Sequence, residues 1–494
     1  MRSTRGAKVS ILLAAALVLL ACSSDDPPAT APDVDGGSVD ASAPPGDAAG
    51  EAGDGGAAAP GTPKRGSRLA PRYRETSDGY SQFFSIADTA LGNATCAAMR
   101  AADGALRCLP SDAPVVYDAR YSDAACTARV IETAAGCAKP AFAMSPVDGT
   151  SGCETQLEVH DVGAAHAGTV YAKEDGGCVA IAVDPRRAYY AMGAVRPPKD
   201  FVKLVSGIEP IAGGVGVAVV DGEDGSRFPR SLLVDVARAK ACDLLTAADG
   251  KKRCLPSGAA TVAGFTDAAC SSPAALATTA CEPLLAPSTA LVADPANAGR
   301  AHVHELGAKR PTKEIYQRAD AMTCSGPSFA VEDVHDLGTE IPPASFPEMG
   351  ETTAGGSRIV ATRLTAGGAL LPRWNRLEDT MLGVRCSPSL AGDGKLRCLP
   401  QALVRSFSDD QCTVPIVIVT SPSTPSHALA PDASCPRRFP VVSVGAEITP
   451  APEKVYVNYS GPCVPTSVSP TARAFAVGSE VPASTFAEVV EVVR

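Results

Sequence analysis

At 494 residues the chain is longer than one compact core usually allows, so several domains or one closed repeat array is expected. Its 54 acidic and 44 basic residues leave a net charge of −10 with no basic patch, which excludes nucleic acid as an expected partner. Seventeen cysteines, none in a Cys-x-x-Cys pair, weigh against zinc ribbons and thioredoxin-like redox chemistry.

Arg2, Arg5 and Lys8 precede an apolar run from Val9 to Leu20 that ends in Leu19-Leu20-Ala21-Cys22. As a helix that run would span about 18 Å, short of a hydrocarbon core of about 30 Å, so residues 1–21 read as an export signal. The Leu-Leu-Ala-Cys ending resembles the bacterial lipobox. The resemblance implies cleavage before Cys22, a lipid on its sulfur, and a membrane as partner through that lipid. By resemblance to enterobacterial sorting, Ser23 and Ser24 in place of an aspartate point to the outer membrane. Residues 22–65 read as a disordered acidic tether, because Ser23 to Pro63 hold eight acidic residues, no Lys or Arg and no aromatic.

Beyond the tether, short apolar runs are bounded by Gly, Pro, Asp and Ser, which is strand and turn chemistry: Phe83–Ile86, Val115–Tyr117, Cys178–Val183, Ala188–Met192, Val215–Val220 and Ile416–Val419. No long stretch has the three-four spacing of an amphipathic helix, so the fold class is all-β. Three phrases set the period, Ala102 to Pro110, Ala248 to Pro256 and Gly392 to Pro400, each with Asp-Gly followed by Arg-Cys-Leu-Pro. They define tandem repeats of about 145 residues, repeat 1 over 66–210, repeat 2 over 211–355 and repeat 3 over 356–494. Asp-Gly supplies a tight hairpin turn, and threefold recurrence gives the arginine a structural role.

Other phrases recur in order: Tyr121 to Cys126, Phe265 to Cys270 and Phe407 to Cys412; then Tyr171 to Cys178, Tyr316 to Cys324 and Tyr456 to Cys463. A closing phrase sets Gly193 with Pro197 and Phe201, Gly338 with Pro342 and Phe346, and Gly478 with Pro482 and Phe486. Gly163, Gly307 and Gly445 echo it about thirty residues earlier, which suggests two sub-units per repeat and a six-bladed β-propeller-like array. Three β-sandwich-like domains in tandem is the alternative. The repeated Ala-Asp-Gly-x-x-Arg-Cys-Leu-Pro phrase resembles that of secreted lipoproteins of myxobacteria, which implies export, lipidation and repeat architecture and offers no activity to carry over.

Export makes disulfides the default. Neighbour pairing is expected: Cys96 with Cys108, Cys126 with Cys137, Cys153 with Cys178, Cys242 with Cys254, Cys270 with Cys281, Cys386 with Cys398, and Cys412 with Cys435. Cys324 and Cys463 are left without a local partner. A two-residue Asp103-Gly104 turn would put Met99 opposite Cys108, so a wider loop or bulge is needed for Cys96 to reach it.

No hydrolase elbow, zinc helix, phosphate loop or dinucleotide fingerprint occurs, and neither a catalytic residue nor a cofactor is assigned. His160, His304 and His335 sit in look-alike phrases, and His166 and His427 stand apart. His302 and His304 alternate on a strand and are the weak candidate for a metal. Trp374 falls at the position where the other repeats carry Phe84 and Arg230, and core packing is its expected role.

The resulting expectation is a lipid-anchored, disulfide-stabilised extracytoplasmic binding or scaffold protein of the cell envelope, whose loops take a protein or glycan ligand. A hydrolase or lyase with carboxylates converging in a central channel is the second reading, and a structural coat component the third.

Overall fold

The computed structural model describes residues 60–494, apart from 118–119, 175–176, 319–322, 421–423, 431, 433, 459–462 and 470. The expected signal peptide, Cys22 and most of the expected tether lie outside the described residues. Residues from Ala58 onward form one compact unit. Among the described residues there is no α-helix, and strands alternate with turns and six single-turn 3₁₀ segments. No helix there is long and apolar enough to cross a membrane. Most of the expected runs lie in strands, such as Ser81–Asp88, Gly177–Ile181, Arg187–Arg196, Val215–Gly222 and Pro415–Val419. Val115 makes only a single bridge, to Met144.

Three five-stranded antiparallel meanders carry the Asp-Gly phrases. Sheet 2 runs in order through Leu204–Ala212, Val215–Gly222, Arg227–Asp235, Lys240–Thr246 and Lys252–Pro256. Sheet 3 runs through Met349–Gly355, Ile359–Ala366, Ala369–Asp379, Val384–Leu390 and Leu396–Pro400. In each, the first strand follows the closing phrase of the preceding repeat. Sheet 1 holds Leu69–Glu75, Ser81–Asp88, Ala94–Arg100 and Leu106–Pro110. Its outer strand is Val490–Val493 from the chain's far end, with Arg72 opposite Val493 and Glu75 opposite Val490. The array is therefore circular, and the last strand closes the first sheet.

The three sheets bury their apolar faces against one another in pairs, as alternation along half-buried strands requires. Phe228, Val220 and Leu204 of sheet 2 meet Leu69, Ile86 and the sulfurs of sheet 1. Met349, Leu364 and Leu371 of sheet 3 meet Val215 and Leu233 of sheet 2. Tyr80 of sheet 1 and Val489 meet Ile359 and Leu377 of sheet 3. Three contacts at strand heads complete the cycle. Asp224 accepts hydrogen bonds from the amides of Arg68 and Leu69 at 3.0 and 2.6 Å. Asp78 accepts from Arg358 and Ile359 at 2.6 and 2.8 Å. In the third place Gly367 lies so close to Gly213 that a Cβ on either would stand 2.7 Å from the other's amide nitrogen.

Between successive sheets the chain forms a second kind of unit, a seven-stranded one. In repeat 2 five of its strands close into a small barrel, because Ala260–Phe265 pairs with both Pro273–Ala277 and Thr289–Asp294. Asn297–Lys309 and Asp333–Glu340 complete it. In repeats 1 and 3 the same circuit is joined only by the isolated bridges Val115 to Met144 and Leu403 to Leu429. Each barrel carries an added hairpin, for example Val170–Glu174 with Gly177–Ile181.

This architecture does not show a six-bladed propeller. The echo that suggested two blades per repeat comes from two neighbouring strands of one barrel: Leu157–His166 pairs with Arg187–Arg196, and Asn297–Lys309 with Asp333–Glu340. Their glycines mark where the two strands cross. A Cβ on Gly307 would stand 2.6 Å from the carbonyl oxygen of Asp336, and one on Gly338 2.8 Å from that of Glu305. Tandem sandwiches are not shown either, since every five-stranded sheet takes a strand from the preceding or the last repeat.

Candidate functional site

The chemistry of the repeated phrases is taken up inside the fold. Residues 101–105 form a five-residue loop in which Ala101 N–H donates to Ala105 and Gly104, at φ +74°, donates back to Ala101. The motif arginine then ties this loop to the closing phrase. Arg107 donates to the Asp103 carboxylate at 2.8 Å and to the carbonyl oxygen of Phe201 at 2.7 Å. Arg253 does the same to Asp249 and Phe346, and Arg397 to Asp393 and Phe486. These hydrogen bonds hold the three carboxyls below the usual aspartate range. The closing-phrase phenylalanines are fully buried plugs between each sheet and its barrel, Phe201 against Leu109 and Met144, Phe486 against Leu399 and Leu429.

The Asp-x-x-Cys phrases, preceded by Ser122, Thr266 and Ser408, are tight loops closed by their own carboxylate. Asp123 accepts from the amides of Ala125, Thr127 and Ala128, which leaves Cys126 in the left-handed region at φ +52°. Asp267 and Asp409 repeat the arrangement, with Cys270 and Cys412 at φ +51° and +54°.

Eight disulfides join all sixteen cysteines of the described residues, which fits an oxidising, extracytoplasmic environment. Cys96 is joined to Cys108, Cys242 to Cys254 and Cys386 to Cys398. The five-residue loop sets Ala98 opposite Cys108, so the partners sit diagonally, with Cα atoms of the first pair 5.2 Å apart. The other neighbour pairs are corrected. Cys126 bonds Cys178, not Cys137; Cys270 bonds Cys324, not Cys281; and Cys412 bonds Cys463, not Cys435. Cys324 and Cys463 are therefore not free. The cause is strand order: Tyr121 pairs with Tyr171, Phe265 with Tyr316 and Phe407 with Tyr456, bringing distant phrases side by side. Cys137 reaches Cys435, and Cys153 reaches Cys281 rather than Cys178, so both of these bonds cross repeats. The signal was present in the sequence, since twelve cysteines recur in threefold sets and pair within their repeat, and the four that remain pair with one another.

The histidines are also engaged. His304 Nδ1 lies 3.1 Å from the carbonyl oxygen of Gly338, and His335 Nδ1 3.1 Å from that of Gly307, across the crossing strands. His160 is buried against Ser145 Oγ at 3.1 Å. His166 contacts the carbonyl oxygen of Thr169, and His427 contacts Ser426 and the edge of Phe486. His302 Nδ1 is 2.6 Å from Glu340, while His304 turns to the backbone, so the metal candidate does not converge. Among the described residues no group of three or more His, Cys, Asp or Glu is placed to hold a metal ion.

Three cavities lie where the five-stranded sheets meet or part. One of about 250 Å³ sits at the junction of all three, lined by Tyr73, Tyr80, Gln82 and Arg363 and covered by Gly61 to Pro63. Burial pushes the Tyr80 phenol well above its usual range, so it stays neutral. A second, of about 670 Å³, lies between sheets 1 and 2 beside the stacked rings of Phe83 and Phe228. The third, of about 780 Å³, opens where Leu106–Pro110 and Leu204–Ala212 diverge, with Cys153, Cys281 and Leu284 forming its other wall. Arg230 borders both larger cavities. It donates to Glu282 through both Nη atoms, the Nη2 to Oε2 bond being 2.8 Å.

This arginine is the residue that sequence reasoning passed over. It breaks an aromatic register: Phe84, its counterpart in sheet 1, lies under the Arg74 guanidinium, 4.1 Å from ring centroid to Cζ. The side chain of Trp374 lies outside what is described.

A family model described as a family of unknown function (DUF7481) matches residues 57–307 and again residues 291–488. The chain belongs to this family. No curated protein and no solved structure matches it. The first DUF7481 match spans four of the five strands of sheet 1, the seven-stranded unit of repeat 1, sheet 2 and part of the next unit, and so includes all three cavities' sheet 1 and sheet 2 walls. The second DUF7481 match ends just before Val490–Val493, the strand that closes sheet 1.

Proposed function

We propose that this protein is a lipid-anchored binding platform of the cell envelope, exported through its signal peptide, held at the outer membrane by lipid on Cys22, and presenting loops to a protein or glycan. One observation carries the reading: the Arg, Asp, His and Cys side chains of the repeated phrases are all bonded within the fold, as a scaffold requires. The closure of sheet 1 by the last strand supports a propeller-like reading of the three-sheet ring, because radial arrays lock their ends in this way.

The hydrolase or lyase reading draws little support. Among the described residues, the cavity where the sheets meet is lined by Tyr73, Tyr80, Gln82, Phe83, small residues and Arg363 with no carboxylate, and the aspartates and glutamate with displaced pKa values are displaced downward. A general acid would need the opposite.

Metabolic labelling with a radioactive fatty acid, in wild type and Cys22→Ser, tests the anchor, and label is expected in the wild type alone. Glycan arrays and cross-linking to envelope fractions test the platform. A saturable partner is expected, and failure of both would overturn the binding role.

A further inference from the structure

The 780 Å³ cavity opens at a corner that repeat 2 bridges with an ion pair. The third corner has no such bridge either, since Leu396 stands where repeat 2 has Lys252 and Glu491 pairs with Arg74. At the corresponding corner of the next repeat, Lys252 and Glu351 face each other from the two diverging strands and bond at 2.6 Å across the cleft. The equivalent residues in the first corner are Leu106 and Ser206, which make no such bridge and line the cavity. Leu204, Ile208 and Leu284 extend the apolar wall. Two arginines, Arg100 and Arg230, stand against one carboxylate, Glu282, in the same lining. Arg100 gives one Nη1 hydrogen bond to the Gly104 carbonyl oxygen, and Arg230 also borders the cavity beside Phe83. A low-dielectric wall with a net positive charge attracts an anion attached to something apolar.

We propose that this cavity binds a single-chain anionic amphiphile, its acyl chain along Leu106, Leu204, Ile208 and Leu284 and its head on Arg100 and Arg230. A free fatty acid and a lysophospholipid share this chemistry. The inference adds a lipid site to the platform proposed above and rests on it only for the supply of lipid, since binding is measurable without any membrane.

The test uses the full mature chain with Cys22→Ser, so that no acyl group of its own competes, and follows displacement of the fluorescent fatty acid cis-parinarate. Palmitate and lysophosphatidylglycerol are expected to displace it at one site per chain, and neutral dodecyl maltoside at least about tenfold more weakly. Whichever anion displaces at the lower concentration identifies the source. Arg100→Gln with Arg230→Gln and Glu282→Gln, which leaves the lining without charge, is expected to erase the preference for anions. Leu106→Lys with Ser206→Glu copies the bridge already present in the next repeat, and is expected to abolish binding while leaving the thermal transition in place. Equal displacement by neutral and anionic amphiphiles, no saturable displacement, or unchanged binding in the bridge-copy variant would each overturn the proposal. Failure of the glycan and cross-linking experiments with amphiphile binding intact would remove the platform reading alone.

Discussion

Arg238 lies three residues after Asp235 and bonds its buried carboxylate at 2.7 Å, whereas Arg68 and Arg358 reach Asp88 and Asp379 from 20 and 21 residues before them. All three arginines also donate to a carbonyl oxygen just before a closing-phrase phenylalanine, those of Asp200, Ser345 and Thr485. The same bonds are thus built from two different places in the chain. Where Arg68 and Arg358 stand, repeat 2 has Gly214 at φ +82°, with Pro347 3.3 Å from where a Cβ would be.

The buried aspartates make these pairs costly to break. Asp379 and Asp88 side chains have no exposure, so removing one partner leaves an uncompensated charge or orphaned donors. Asp379→Ala is expected to lose about 3–5 kcal/mol in urea unfolding. Arg238→Ala should destabilise as Arg68→Ala does. Adding Gly214→Arg should fail to rescue it, because a left-handed backbone strains any other residue there. Rescue would show that the two origins of the arginine are interchangeable.

What the sequence made legible was whatever lies close along the chain. The Asp-Gly turns, the strand class and the structural use of Arg107, Arg253 and Arg397 follow from local chemistry and threefold recurrence. The barrels were not legible, because Gly163 and Gly193 belong to adjacent strands whose pairing is decided by tertiary contact. The Arg230 cavity was visible only as an odd residue in an aromatic register, and its meaning depends on Glu282, 52 residues away.

The cross-repeat disulfides give a direct chemical check. Proteolysis without reduction should release linked peptides containing Cys137 with Cys435 and Cys153 with Cys281. Recovery of Cys126 linked to Cys137 would contradict the strand order. Bonds spanning 298 and 128 residues restrict the unfolded chain by about 6 and about 5 kcal/mol in loop-entropy terms, against about 3 for the 12-residue hairpin bonds. Cys137→Ser with Cys435→Ser is therefore expected to lower the urea midpoint more than Cys96→Ser with Cys108→Ser, once cavity effects at buried Cys108 are matched by Ala controls.

Ring closure rests on four residues of strand. Val490–Val493 pairs with Leu69–Glu75, and Arg494 donates its backbone N–H to the carbonyl oxygen of Pro71 and sets its guanidinium 4.8 Å from the centroid of the Tyr73 ring. Ending the chain at Glu488 also removes buried Val489 from the packing against Ile359 and Leu377. Hydrogen exchange should then show sheet 1 amides losing protection while the amides of sheet 2 keep theirs, since the outer strand of sheet 2, Leu204–Ala212, is untouched by the truncation. Uniform loss would mean that the ring unfolds only as a whole.

Acid sensitivity should be carried by the Asp-x-x-Cys loops of Asp123, Asp267 and Asp409. At Asp267 the upward push of burial is outweighed by amides of Ser272 and Ser271 and by the Ser271 hydroxyl, and the carboxyl falls from 3.8 to about 2. Asp123, led by the Ala128 amide, and Asp409, led by the Thr413 hydroxyl, are lowered too. A folded-state pKa below the unfolded one means the stabilisation is complete above about pH 4 and is lost as pH falls through about 2. Urea midpoints measured from pH 7 to pH 2 should stay level to about pH 4 and then decline. In a variant with Asp123→Asn, Asp267→Asn and Asp409→Asn the neutral-pH midpoint should be lower and the acid decline shallower, because an amide keeps one acceptor and has no proton to take up. An unchanged decline would place the acid sensitivity in other carboxylates, with Asp78 and Asp224, which hold the strand heads and are also lowered, next in line.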